Sequence, residues 1–183
     1  MSKGRIEVIA GGMFSGKSEE LVRRLRRAKI AQKRVKAFKH ASDDRYHKTH
    51  IGSHTGTTFE AHPLNLAAAI EEAAEGFNVI GIDEAQFFEP GLAEMCERLA
   101  NKGVRVIVAG LDQDSQGKPF GPIPELMAVA EDVTKLHAIC VVCGEDASRS
   151  YHKGLKEHQV EVGVTQYEAR CRTCWLMPVA PSE

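Results

Sequence analysis

The octapeptide Gly11-Gly12-Met13-Phe14-Ser15-Gly16-Lys17-Ser18 constrains the fold of this chain more than any other stretch. It consists of a glycine, four free positions and then Gly-Lys-Ser. The apolar run Ile6, Val8, Ile9, Ala10 precedes it, and a helix-compatible segment, 19–31, follows. Such a loop wraps successive backbone N–H groups around a phosphate, which calls for glycine where a side chain would collide or φ is positive. The following helix turns its unsatisfied N–H groups and positive dipole end toward the same anion. Lys17 then reaches the β and γ phosphates, and the Ser18 hydroxyl is placed to ligate Mg²⁺. A strand–loop–helix unit holding a nucleoside triphosphate is the expectation.

Downstream, apolar strands and amphipathic helices alternate. In the first helix Leu21, Val22, Leu25 and Ala28 share one face, and Arg23, Arg24, Arg26, Arg27 and Lys29 take the rest. Glu19 and Glu20 suit the first turn and can pair four residues on with Arg23 and Arg24. The basic run reads either as a nucleic-acid patch or as a solvated helix face balanced by acid elsewhere. Strands are expected at 34–38, 77–83, 104–109 and 132–137, and helices at 65–75, 91–102 and 123–130. Residues 39–60 lose apolar periodicity and read as a surface loop carrying Asp43-Asp44-Arg45-Tyr46 and Ser53-His54-Thr55-Gly56, groups suited to a phosphate or ribose. Lone Cys96 falls on an apolar helix face with Leu92, Met95 and Leu99, a core position. The alternation implies a mostly parallel sheet with its ligand site at the carboxyl ends of the strands.

The second chemical element lies at such an end. The strand Val79-Ile80-Gly81-Ile82 runs into Asp83-Glu84, then Ala85-Gln86-Phe87-Phe88. An acid closing this strand beside a phosphate loop holds Mg²⁺, directly or through water. Adjacent strand residues point to opposite faces, so Asp83 and Glu84 are expected to do different work, one on the metal and one facing the nucleophile. A further strand ends in Gly110-Leu111-Asp112, and the Pro/Gly-framed Phe120 reads equally as loop packing or as a ring on a planar ligand.

Cys140-Val-Val-Cys143 and Cys171-Arg-Thr-Cys174 are paired knuckles whose four thiolates suit one tetrahedral Zn²⁺, coordinatively closed and therefore structural. Two disulfides are the alternative. The intervening stretch, about 152–167, loops out between the knuckles and would make a lid over a bound molecule. Lys and Arg total 24 against 25 acids, a net charge of −1, so no global field draws in nucleic acid. No apolar run approaches a membrane span and no signal segment is recognised, which leads us to expect a soluble cytoplasmic protein.

Taken together, Gly-Met-Phe-Ser-Gly-Lys-Ser, Asp83-Glu-Ala-Gln-Phe-Phe88, Gly110-Leu-Asp with Lys118-Pro-Phe-Gly-Pro122, and the two knuckles resemble, in order from about residue 6 to 174, the zinc-containing (type II) thymidine kinases. That resemblance implies an α/β fold: a RecA-like P-loop domain with a mostly parallel sheet (1–137), a small ribbon-like zinc domain carrying a lasso loop (138–178) and a short tail (179–183). It implies ATP-dependent phosphorylation of deoxythymidine on its 5′-hydroxyl, feedback binding of dTTP, and a homotetramer with neither nucleic acid nor membrane as partner. Glu84 becomes the general base and Asp83, with Ser18, the Mg²⁺ holder. The ATP-binding set comprises Gly11, Gly12, Met13, Phe14, Ser15, Gly16, Lys17, Ser18, Arg45, Asp83, Glu84, Ala85 and Gln86. Met13, Phe87, Leu111, Phe120 and Ser150 would line the thymine pocket, with lasso backbone from Val160, Val162, Gly163 and Val164 and a ring from Tyr167. Ser115 and Gln116 stand where relatives commonly carry an aromatic and an Arg, and the Gly163-to-Tyr167 spacing is one residue short. A nucleic-acid-stimulated ATPase is the rival from another class, opposed by the charge and by a length too short for a second motor domain. A regulatory nucleotide-binding module is a third reading, opposed by a candidate base beside the candidate metal site.

Overall fold

The structure, a computed structural model, describes residues 3–42, 49–52, 58–154 and 166–177. Its frame is a six-stranded parallel sheet. The strands are β1 (Arg5–Gly11), β2 (Val35–His40), β5 (His62–Leu64), β6 (Val79–Asp83), β7 (Arg105–Gly110) and β8 (Asp132–Leu136), in the order β5-β2-β6-β7-β1-β8. The inner strands are buried on both faces, which is why β7 reads as a nearly continuous apolar run and β1 as one broken only by Glu7 after its first residue. One face is covered by α1 (Lys17–Ile30), whose Leu21, Val22, Leu25 and Ala28 meet Ile9, Ala37, Val79, Ile107 and Ala109. The other receives α2 (Ala67–Ala73), α3 (Leu92–Asn101) and α4 (Ile123–Val129) against Val8, Phe38, Ile80, Ile82, Val106 and Val108. Cys96 is fully buried there, and burial pushes its thiol up to about 12, so it is core.

Residues 39–60 are not wholly a loop. The second strand runs on to His40, and β3 (His50–Gly52) pairs antiparallel with β4 (Thr58–Glu60). This hairpin lies on α1: Ile51 and Phe59 join the α1 core, and Arg26 donates to the Thr58 carbonyl at 3.1 Å. Two buried residues suffice to anchor so short a hairpin, too few to show as periodicity. Edge strand β5 was also missed, because it is short and contains Pro63; the edge is where a residue without an N–H is tolerated. Glu20 pairs with Arg24 at i+4 as expected, and Arg23 also turns to Glu20, at i+3.

Beyond β8 the chain forms β9 (Ala138–Ile139), β10 (Asp146–Ala147), β11 (Arg149–His152), β12 (Tyr167–Arg170) and α5 (Arg172–Leu176). β9 pairs with β10 and β11 with β12, both antiparallel, around a separate small cluster of Ala138, Cys140, Ala147, Ala169 and Cys174.

Candidate active site

β1 delivers its chain end to the octapeptide, which turns through left-handed conformations at Phe14 (φ 66°) and Gly16 (φ 82°) before α1 starts at Lys17. Inside the loop, Ser15 Oγ donates to the Gly12 carbonyl at 2.8 Å and Lys17 Nζ donates to the same oxygen at 2.6 Å. Lys17 is thus folded back over the loop that it would share with a phosphate. The acid strand β6 is not the neighbour of β1, since β7 lies between them. Even so, the Ser18 hydroxyl spans the gap and donates to Asp83 Oδ2 at 2.9 Å. Two hard oxygens at that separation, at the foot of an anion-binding helix, fit a magnesium ion's preference for oxygen donors.

Glu84 departs from the opposite-faces expectation. The strand ends at Asp83, and Glu84 stands in the left-handed region (φ 53°, ψ 39°) at the head of a 3₁₀ turn, Ala85–Phe87. Its N–H donates to Asp83 Oδ1 at 3.0 Å, so one Asp83 oxygen faces Ser18 and the other pins the Glu84 backbone. The two carboxylates diverge because of this backbone reversal, not because of strand pleating. A non-glycine residue held left-handed costs on the order of 1–3 kcal/mol and is a mark of functional sites. The Glu84 carboxylate accepts from Gln86 Nε2 at 2.6 Å, and Gln86 Oε1 accepts from the Leu111 N–H at 2.9 Å.

Beside these lies an aromatic wall. Phe87 and Phe120 meet edge to face with centroids 5.8 Å apart, and His40 packs against Phe88 at 4.8 Å and Phe87 at 5.9 Å. Burial lowers the His40 pKa, with Glu89 and Glu84 opposing. The Phe120 loop is drawn closed by Asp114 Oδ1, which accepts from Gln116 and Lys118 N–H, and by Phe120 N–H donating to Asp112 O at 3.2 Å. Ser150, on β11, accepts the Met13 N–H at 3.0 Å, so the phosphate loop and the cysteine module meet through a hydroxyl. Tyr167 stacks edge-on with His152 at 4.9 Å.

The four knuckle sulfurs lie within 4.8 Å of one another, with Cys143 and Cys171 Sγ 3.7 Å apart. A tetrahedron with metal–sulfur bonds of about 2.3 Å has edges of about 3.8 Å, so the donor set fits zinc. Cysteine 171 also caps α5, its Sγ accepting the Cys174 N–H. Burial opposes ionisation of Cys140, but N–H groups of Cys171, Cys143 and Val142 outweigh it and bring that thiol down to about 6; the sulfur of Cys171 first, then burial, drives Cys174 up to about 12. A divalent cation bound here would let all four ionise together.

The thymidine kinase family profile matches residues 4–175. The chain belongs to the thymidine kinase family. Among its thymidine kinase relatives, that of Bacteroides thetaiotaomicron is 51% identical over 175 residues, 95% of this chain and 88% of that one. That of a Rhodothermus species is 52% identical over 178 residues, 97% and 84% of the two chains. A solved structure of AMPPCP-bound DnaA from Aquifex aeolicus is a looser likeness, with a TM-score of 0.47 and 12% identity over 74% of this chain and 41% of that one.

Of the residues expected at a thymidine kinase site, the structure gathers the octapeptide, Asp83, Glu84, Gln86, Leu111 and Ser150 through hydrogen bonds, with Phe87 and Phe120 paired alongside. Arg45, Val160, Val162, Gly163 and Val164 lie outside the described residues, as do Asp43, Asp44, Tyr46 and Ser53 to Gly56. Sequence reasoning missed Lys39, which is 1% exposed and in register with Asp83 on the adjoining strand. Its signal was the alternation Val35, Ala37, Lys39, which puts it on the α1 face. It also missed Arg149, buried over Trp175 and donating to Gln113, which ties the Phe120 loop to the cysteine module.

Proposed function

We propose that the protein transfers the γ-phosphate of ATP to the 5′-hydroxyl of deoxythymidine, releasing ADP and dTMP. The observation that carries the reading is Glu84, turned off the end of β6 in a left-handed backbone beside an Asp83 committed to Ser18. The O5′ atom attacks the γ-phosphorus, the bond to the β–γ bridging oxygen breaks, and the hydroxyl proton passes to the Glu84 carboxylate. The octapeptide amides and Lys17 hold the phosphates in line. Ser18 and Asp83 are the groups that would hold Mg²⁺, which supplies charge neutralisation on the β and γ oxygens.

Met13, Leu111, Phe87, Phe120 and Ser150 form the thymine side of the site in this reading, Arg45 approaches the phosphates, and Val160, Val162, Gly163 and Val164 cover the nucleoside with Tyr167 nearby. Structural Zn²⁺ on Cys140, Cys143, Cys171 and Cys174 tethers that cover. The small apolar cluster around the cysteines supports a division into a kinase domain over 1–137 and a zinc domain over 138–178. Feedback by dTTP, a homotetrameric assembly and a cytoplasmic location complete the proposal; no helix among the described residues is long and apolar enough to cross a membrane.

The test supplies ATP, Mg²⁺ and each nucleoside in turn. Formation of dTMP from thymidine is the expected product. Absence of dTMP, together with ATP hydrolysis stimulated by DNA or RNA, would overturn the reading.

A further inference from the structure

Glu84 sits beyond the last sheet hydrogen bond of its strand, so the ladder does not fix its side chain. A carboxylate on a flexible stem there can sweep several rotamers, and only some aim it at a bound hydroxyl. Gln86, two residues on, holds it through the 2.6 Å bond from Nε2 to Glu84 Oε2, a hydrogen bond to a charged acceptor that reaches the carboxylate from within its own turn. The orientation of the Gln86 amide is not arbitrary. Its Oε1 takes the N–H of Leu111, a group that can only donate, which leaves Nε2 as the end facing Glu84.

The surroundings leave Gln86 little room to do anything else. It is 3% exposed. A Cβ at Gly110 would come within 2.9 Å of Gln86 Oε1, and a Cβ at Gly121 (φ 51°) within 2.1 Å of the Gln86 carbonyl oxygen. Two glycines thus make the slot in which this turn lies. The sequence alone placed Gln86 with the nucleotide ligands, yet its carbonyl oxygen and an amide N–H are both used within the protein.

We infer that Gln86 is a positioning residue for Glu84, a buried strut from the Leu111 backbone to the carboxylate, and not a ligand of the nucleotide. This rests on Glu84 being the base. The strut has a mechanistic consequence: the end of β7, where Leu111 borders the acceptor side, and the carboxylate that receives the acceptor's proton are held by one side chain. The acceptor wall and the base therefore keep a common frame, and a shift of the order of 1 Å between them is costly in rate.

Two variants separate this role from others. Gln86→Glu keeps an acceptor for Leu111 N–H and loses the donor to Glu84; Gln86→Leu loses both. Expected for each is a fall in kcat of roughly 10- to 100-fold, with the Kd for ATP and the KM for thymidine within about threefold of the parent. A Gln86→Glu enzyme with kcat within about threefold of the parent would show the strut to be structural only, and a tenfold weaker ATP affinity with kcat retained would show a nucleotide ligand; either overturns the inference. A second arm uses the Glu84→Gln background. There Gln86→Leu should change the residual rate by less than about twofold, since it acts through Glu84; a full multiplicative loss would contradict that. If Glu84→Gln alone turns over at near the parental rate, the base assignment itself falls, an outcome separable from all the others.

Discussion

At the scale of single residues, the site is built from backbone that the side-chain pattern does not announce. The octapeptide was legible because its glycines and lysine are chemically forced, and Asp83 because a strand ending in an acid beside such a loop has few other uses. The geometry of Glu84 was not. Nothing in Asp-Glu-Ala-Gln says that the glutamate takes φ 53°, because that conformation is imposed by the Asp83 Oδ1 cap and by the Gly110–Gly121 slot around Gln86. Gly121→Ala forces a methyl to within 2.1 Å of a backbone oxygen at positive φ, whereas Gly144→Ala, at φ 80°, meets nothing within 4 Å. Urea unfolding should show about 1–2 kcal/mol lost for Gly144→Ala, clearly more for Gly121→Ala, and only the latter should also lower kcat. Equal losses with unchanged kcat would remove the slot from the account.

At the scale of elements, the alternation of strands and helices was readable because inner parallel strands are apolar on both faces and α1 and α3 carry single apolar stripes. The β3–β4 hairpin and edge strand β5 were not, since three-residue strands offer no period to count. Also invisible was the brace at the amino end of the sheet, where Glu7 of β1, 3% exposed, receives Arg5, Arg24 of α1 and Arg105 of β7. The basic helix face is therefore in part a structural clamp. Burial works to raise the Glu7 carboxyl, but Arg105, then Arg5 and Arg24, hold it below its ordinary value; Arg23, with Arg24, pulls Glu20 down to about 2. A carboxylate depressed in the folded state adds stability that is complete above its unfolded value of about 4.5 and is lost as pH falls toward its folded one. Stability measured by urea should thus decline below about pH 4.5, and Glu20→Gln should flatten that decline. An unchanged acid slope in the variant would be the contrary result. At neutral pH, Glu7→Gln leaves the partly exposed Arg105 and Arg24 guanidinium groups under-paired and should cost about 1–3 kcal/mol, with KM for both substrates unchanged.

At the scale of the whole molecule, the cysteine module and the sheet are joined at the octapeptide and the Phe120 loop. Ser150 of β11 takes the Met13 N–H of the phosphate loop, and Arg149 holds the Phe120 loop through Gln113. The knuckles were legible from spacing alone, because two C-x-x-C pairs admit one tetrahedral ion. Their attachment to the octapeptide and the Phe120 loop was not, because it runs through one hydroxyl and one guanidinium distant in sequence from what they touch. Removing zinc with a chelator should therefore weaken thymidine binding by tenfold or more while ATP affinity changes little, as read by calorimetry on each substrate separately. Loss of both affinities together would mean that the metal supports the fold at large.

In the proposed reaction Glu84 takes the proton from the nucleoside hydroxyl while a neighbouring set of residues holds the nucleotide. Glu84→Gln keeps the shape of the side chain and removes its basicity. Measured by dTMP formation and by ATP affinity on the same preparation, it should turn over on the order of 10²–10⁴-fold more slowly with ATP binding intact. Turnover near that of the parent, or loss of ATP binding in step with loss of rate, would contradict the account.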